Sequence, residues 1–283
     1  MESGTPRIID LNVESAKLTM YRGRTPTTTF AQRKGSATQL GPYRDGMLLL
    51  SESAGTGHWE THPEDELLYV LDGAMTVDIV AQDRVQTIAV GAGMIAVVPP
   101  GAWHRVHSTN GATAFSATIP GDHIDLDVAD PRTVERDPTP DAARIDPPND
   151  VVDLNAELAK LTMFRRTPAA TVDDRRGSVA RLASYRDGAL FAIKSSGIDH
   201  WESHLTGDEL VYLLDGSATL DVVTDAGPQS FALRAGMLAV IPQGAWHRVK
   251  SPDGVTQLSV TPSPGKHIEL DVDDPRTVAR NPA

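Results

Sequence analysis

Nine histidines are present, and six of them fall into three matched pairs, His58 with His200, His62 with His204 and His104 with His247. In an extended strand, residues two apart share a face, so His58, Glu60 and His62 point one way while Trp59 and Thr61 point the other. His200, Glu202 and His204 repeat the arrangement. Glu66 follows His62 by four residues and Glu209 follows His204 by five, each at the head of an apolar run, so a short turn brings a carboxylate alongside the imidazoles. Imidazole and carboxylate converging on one point hold a divalent metal without thiolates, and two His plus one carboxylate with open positions is the arrangement of non-heme iron sites. A lone interior histidine is more commonly a hydrogen-bonded core residue. A carboxylate buried beside it is costly without compensation, which favours the metal.

The composition narrows the rest. Of 283 residues, 26 are Lys or Arg and 38 are Asp or Glu, giving a formal charge of −12 with no basic cluster to offset it. That weighs against a nucleic-acid partner. The absence of cysteine excludes disulfides, thiolate zinc sites and a Cys nucleophile. No apolar run approaches the roughly 20 residues of a membrane helix. The start, Met1-Glu2-Ser3-Gly4-Thr5-Pro6, lacks the basic and apolar stretches of a signal peptide, so a soluble cytoplasmic protein with no membrane partner is expected.

The elements that must position these residues are written twice. Asp10-Leu11-Asn12 recurs as Asp153-Leu154-Asn155, Tyr43-Arg44-Asp45-Gly46 as Tyr185-Arg186-Asp187-Gly188, and Gly101-Ala102-Trp103-His104 as Gly244-Ala245-Trp246-His247, at offsets of 142 to 143. Copies of this length are complete domains rather than solenoid repeats, which predicts an N-terminal domain over 1–140 and a C-terminal one over 141–283. The proline- and aspartate-rich stretch from Glu135 to Asp150 reads as the join. Within a copy, runs such as Gly46–Ser51, Glu66–Leu71, Met75–Val80, Val85–Val90 and Met94–Val98 have strand length and are separated by turn residues. Asp72-Gly73 and Asp215-Gly216 favour tight hairpin turns, and no segment sustains a helical stripe beyond about two turns, which leaves room only for short helices near Asn12–Met20 or its copy. The fold class is all-β, each copy a small antiparallel barrel or sandwich.

These residues resemble the cupins, and specifically the two-domain bicupins. The first cupin motif, His-x-His, three or four residues, Glu, six residues and Gly, is approached by Glu60-Thr61-His62 with Glu66 and Gly73, and by Glu202-Ser203-His204 with Glu209 and Gly216. The second, Gly, five residues, Pro-x-Gly, two residues and His, is met by Gly93, Pro99, Gly101 and His104, and by Gly236, Pro242, Gly244 and His247. The resemblance implies two tandem double-stranded β-helix barrels of jelly-roll type. It also implies the metal ligands Glu60, His62, Glu66 and His104, with Glu202, His204, Glu209 and His247 in the second copy. The family's first histidine is a glutamate here, and an extra histidine lies two residues earlier, at His58 and His200. Either Glu60 and Glu202 take the vacant position, the shorter reach, or a bulge lets His58 and His200 swing in.

Carboxylate-rich ligation favours Fe, Mn, Zn or Ni over Cu(I), up to one ion per domain. Leu68, Val70, Ile95 and Val97 are expected to share the ligand face, giving an aliphatic lining suited to a small, partly apolar, metal-chelating substrate. The leading expectation is therefore a non-heme metal oxygenase of the dioxygenase type, with His58 and His200, or a Glu60 freed from the metal, moving protons. The alternatives are an oxygen-independent isomerase, lyase or decarboxylase, and a noncatalytic metal- or small-molecule-binding bicupin. Arg44 and Arg186 read as salt-bridge partners of Asp45 and Asp187 ahead of clamps for an anion. His107 reads as surface, and His123 and His267 as parts of a closing strand. The aliphatic sheet faces point to a possible homodimer.

Overall fold

The computed structural model describes residues 4–81, 84–134 and 151–278. The strands of the first half are β1 (Arg7–Asp10), β2 (Tyr21–Arg24), β3 (Ala37–Tyr43), β4 (Gly46–Thr56), β5 (Trp59–Thr61), β6 (Glu66–Ala81), β7 (Arg84–Gly91), β8 (Met94–Val98), β9 (His104–Thr118) and β10 (Asp122–Ile124). The second half repeats them as β11 (Val151–Asp153), β12 (Phe164–Arg166), β13 (Val179–Tyr185), β14 (Gly188–Ile198), β15 (Trp201–His204), β16 (Glu209–Thr224), β17 (Gly227–Arg234), β18 (Met237–Ile241), β19 (His247–Pro262) and β20 (Gly265–Ile268). The expected helices are one short turn each, Leu11–Ser15 and Leu154–Ala159. Two ten-stranded sheets result, with the orders β10-β5-β9-β6-β8-β11 and β1-β18-β16-β19-β14-β12 along their main paths. The fold is all-β, two tandem barrels of one topology.

The chain divides into two compact units, Val13–Asn155 and Met1–Asn12 with Ala156–Ala283. The expected boundary at 140 and the join from 135 to 150 lie outside the described residues. The first strand of the chain pairs antiparallel with β18, Ile9 opposite Leu238, and the Leu11 N–H donates to Gly236 O at 2.9 Å. Val151–Asp153 pairs in the same way with β8.

Alternation along β6 explains where the core and the site lie. Glu66, Leu68 and Val70 share one face, and Leu68 and Val70 are buried with Ala96 and Val98 of β8. Beyond Gly73 the buried set becomes Met75, Val77 and Ile79, so the inward face changes from even to odd residues. Two register shifts against β9, between Val70 and Asp72 and between Gly73 and Thr76, produce that change. Asp72-Gly73 is thus no hairpin turn. It is a bulge inside one 16-residue strand, with Gly73 at φ +76°. The second unit does the same, passing from Val211 and Leu213 to Ala218, Leu220 and Val222 around Gly216 at φ +81°.

The same pairing corrects the expected lining. Glu66 stands opposite Val98 and Leu68 opposite Ala96, whereas Ile95 and Val97 pair with Tyr69 and Leu67 on the other face. Directly paired residues share a face, so Ala96 and Val98, not Ile95 and Val97, accompany the ligand-type residues.

Candidate metal centres

Three strands assemble each centre. In the first barrel Glu60 of β5 lies directly opposite His104 of β9, and His104 in turn lies opposite Ile79 on the inward face of β6. Glu66 enters at the head of β6, and His62 sits in the turn between β5 and β6, its carbonyl accepting from the Gly101 N–H at 2.7 Å. The ligand atoms of Glu60, His62, Glu66 and His104 all lie within 4.8 Å of one another. His104 Nε2 is 2.8 Å from Glu66 Oε2 and 3.9 Å from Glu60 Oε1, and His62 Nε2 is 3.7 Å from each of Glu60 Oε2 and Glu66 Oε2. Glu202, His204, Glu209 and His247 repeat the cluster, with His247 Nε2 2.7 Å from Glu209 Oε2 and His204 Nε2 3.5 Å from it. Of the two alternatives left by the sequence, Glu60 and Glu202 are the residues brought into these clusters.

Residues of this kind fit a divalent cation. His62, Glu66 and His104 are buried, and Glu60 keeps about a quarter of its side chain exposed (26%). Both ring nitrogens of His62 and of His204 are buried without a hydrogen-bond partner. His104 Nδ1 donates to Ala102 O, and His247 Nδ1 to Ala245 O, at 3.1 Å each, which turns both Nε2 atoms toward the carboxylates. Two carboxylates facing two neutral imidazoles leave negative charge in a low-dielectric site, and a cation compensates it. Each barrel therefore carries a four-residue cluster able to hold a metal ion, and in the second barrel His200, Glu202 and His267 form a further, more exposed group that shares Glu202. Without one, protons are recruited instead. Burial opposes the charged form of His104, but the hydrogen bond and charge of Glu66, aided by Glu60, outweigh it and hold the imidazole up at about 9. His247 is raised to about 9 by the same balance with Glu209 and Glu202. Burial likewise pushes Glu60 upward, yet the His58 hydrogen bond and the charges of His104, His58 and His62 hold it down at about 2.

The two barrels differ beside their clusters. His58 stands outside the first cluster, its Nε2 3.3 Å from Glu60 Oε2. His200 is more deeply buried, and its Nε2 meets His267 Nδ1 of β20 at 2.9 Å. His123 and His267 do belong to closing strands, paired opposite Glu60 and Glu202. Trp59 and Trp201 face away as expected. Trp59 Nε1 donates to Val128 O at 2.9 Å under the Arg105 guanidinium, and Trp201 Nε1 to Val272 O at 2.8 Å under Arg248. His107 departs from the surface reading: it borders the first cavity, with Nδ1 2.8 Å from Thr56 Oγ1.

Sequence reasoning missed the guanidinium groups. A cavity of about 150 Å³ over the first cluster is bordered by Arg24, Arg33, His58, Glu60 and Glu66, and by apolar Leu49, Leu68 and Met75. Its counterpart over the second cluster is larger, about 510 Å³, and is bordered by Arg166, Arg175, Asp199, His200, Glu202 and Glu209. Burial and the nearby Arg33 lower Arg24 to about 10, partly offset by Glu60. Burial and Arg175 do the same to Arg166. The repeat held the signal, since Arg24-Thr25-Pro26 recurs as Arg166-Thr167-Pro168 and Arg33 as Arg175, all at an offset of 142. Arg44 and Arg186 border neither cavity; they lie over Tyr43 and Tyr185, 5.6 Å from the ring centres, at φ values of 51° and 50°.

Comparison with known proteins agrees with this architecture. Residues 47–117 match the family model described as the cupin domain. No curated protein matches the chain. The structure of Lactobacillus farciminis oxalate decarboxylase in complex with formate aligns with a TM-score of 0.51 at 14% identity, covering 83% of this chain and 83% of that one. A structure from work on the Mn(II) centres of Bacillus subtilis oxalate decarboxylase aligns at 0.47 with 15% identity, covering 82% and 71%. A single-residue mutant of that enzyme aligns at 0.49 with 14% identity, covering 86% and 74%. At these identities the likeness is one of fold. No helix among the described residues is long and apolar enough to cross a membrane. The segment 47–117 is thus similar to the cupin domain, and the duplicated topology gives both halves of the chain one barrel fold.

Proposed function

We propose that the protein is a metal-dependent lyase that removes a carboxyl group from a small carboxylate substrate without net consumption of dioxygen. The observation that carries this reading is Arg24, half-buried on the cavity that Glu60 and Glu66 of the first cluster also border. A guanidinium beside a metal cluster suits a substrate that offers a carboxylate to both, because it pairs with carboxylate through two parallel hydrogen bonds. The partly apolar chelator expected of an oxygenase would leave that buried charge without a partner. Oxalate decarboxylase, the enzyme of the fold-matched structures, acts on such a substrate, and that agreement supports the reading.

In this proposal Glu60, His62, Glu66 and His104 hold a divalent ion in the first barrel, and Glu202, His204, Glu209 and His247 hold one in the second. A bound divalent ion supplies a Lewis acid that polarises a substrate oxygen. Arg24 orients the substrate by pairing with its carboxylate, and Leu49, Leu68 and Met75 limit the water that reaches it. His58 Nε2, 3.3 Å from Glu60 Oε2, holds a proton at the cavity wall and passes it to the carbon that loses carbon dioxide. For oxalate the balance is one proton taken up, one formate and one carbon dioxide released, with no external oxidant.

The test is incubation of the manganese-loaded protein with oxalate and other short mono- and dicarboxylates, following carbon dioxide, the shortened acid and dissolved oxygen together. Carbon dioxide and the shortened acid in equal amounts, without matching oxygen uptake, are expected. Oxygen consumed mole for mole with substrate would restore the oxygenase reading.

A further inference from the structure

The two cavities share their guanidinium groups but not what those groups face. In the second barrel the carboxylate of Asp199 is ion-paired with Arg166, and both side chains are nearly or fully buried. The other Asp199 oxygen accepts from the His200 N–H at 3.0 Å and lies 3.3 Å from His200 Nδ1. The residue that matches Asp199 at the offset of 142 is Gly57, and Arg166 matches Arg24. A Cβ placed on Gly57 would lie 3.1 Å from Arg24 Nη2 and 3.2 Å from Arg24 Cζ. This backbone position therefore abuts the guanidinium in both barrels, and only the second barrel puts a carboxylate on it.

We infer that the position occupied by Gly57 and Asp199 decides which barrel takes an anionic substrate. Glycine leaves Arg24 to pair with the substrate carboxylate in the first barrel. Asp199 already fills that role for Arg166, so the innermost part of the second cavity carries no net charge to attract an anion. A substrate carboxylate there would meet Asp199 as a like charge at contact distance. Arg175 does not replace Arg166, because it is partly exposed and its Nε donates to Thr171 O. The second barrel, with the larger cavity, is thereby left for a neutral or cationic ligand or for a structural metal. The inference deepens the carboxylate reading above and rests on it.

Titration calorimetry of the metal-loaded protein with oxalate tests it, with metal content measured before and after. The wild type is expected to bind one equivalent per chain. Arg24→Gln and Gly57→Asp should each weaken that binding at least tenfold, while Asp199→Asn should raise the stoichiometry to two. Asp199→Asn also leaves Arg166 without its counter-charge, so oxalate should raise its melting temperature more than that of the wild type. Should Asp199→Asn prove poorly folded, Gly57→Asp still decides the matter, because Arg24 is a side-chain end that can yield to the new group. Two equivalents on the wild type, or unchanged stoichiometry in Asp199→Asn, would overturn the inference and leave the carboxylate reading standing. No binding to the wild type or any variant would overturn both.

Discussion

His104 Nε2 lies 2.8 Å from Glu66 Oε2, and the second barrel repeats the contact at 2.7 Å between His247 Nε2 and Glu209 Oε2. In the metal-free protein the imidazole of each pair is raised to about 9. A histidine whose folded value exceeds its unfolded value, about 6.5, contributes stability that is complete below the unfolded value and lost as pH rises through the folded one. Metal-free protein should therefore melt at progressively lower temperature between about pH 6.5 and 9, by several degrees. Glu60, held at about 2, contributes in the opposite sense: its share is present above about 4.5 and disappears toward pH 2. Thermal melting in the presence of a chelator checks both limbs. Manganese should oppose the alkaline fall, because a ligating imidazole must be neutral.

Metal stoichiometry follows from the separate clusters. With no ligand-type residue shared between them, His62→Ala and His204→Ala should each remove one of two bound equivalents and leave the other in place. Elemental analysis of metal per chain would show two, one and one for the wild type and single variants, and none for the double variant. Glu60→Gln should weaken binding in the first barrel rather than abolish it, because His62, Glu66 and His104 remain to hold the ion. Glu60 is the most exposed member of its cluster.

Much of this was legible in the chain because the chemistry is local. His62, Glu66 and His104 stand in short motifs whose spacing survives any change of register, and the duplication supplied an independent copy of each. Ile95 and Val97 were misplaced for the opposite reason. Their alternation was sound, but which parity faces inward depends on pairing with Leu67 and Tyr69, a long-range relation that no single strand reveals. Gly73 was misread because Asp-Gly has the same residue chemistry in a hairpin turn and in a bulge. Arg24 was missed because it reaches the site from β2, which pairs with β4 and sits 36 residues ahead of Glu60.

The bulge makes its own prediction. A Cβ on Gly73 would lie 2.3 Å from Gly111 O, and Gly23, at nearly the same φ (+77° against +76°), has nothing within 4 Å. Gly23→Ala should cost only the conformational penalty, about 1–2 kcal/mol. Gly73→Ala adds a backbone clash inside the strand that carries Glu66 and should cost about 3 kcal/mol or more. Urea denaturation of the two variants separates the effects; equal midpoints would mean that β9 yields freely at Gly111.

The N-terminal strand offers a test of which unit it serves. Residues 7–10 pair with β18, Ile9 and Leu11 are buried, and Asp10 is bonded by Arg234. Asn12 Nδ2 would lie only 2.1 Å from a Cβ on Gly236, a position at φ +86°. Removing residues 1–12 therefore strips one edge of β18, whose other edge pairs with β16, the strand headed by Glu209. Hydrogen exchange should speed up at Met237–Ile241 in the truncated chain and stay unchanged at Met94–Val98, which pairs with Val151–Asp153. Metal should be lost from the second cluster before the first, because Glu209 stands opposite Ile241 at the end of that weakened ladder. Equal loss from both clusters would mean that the strand supports the whole chain rather than the unit it pairs with.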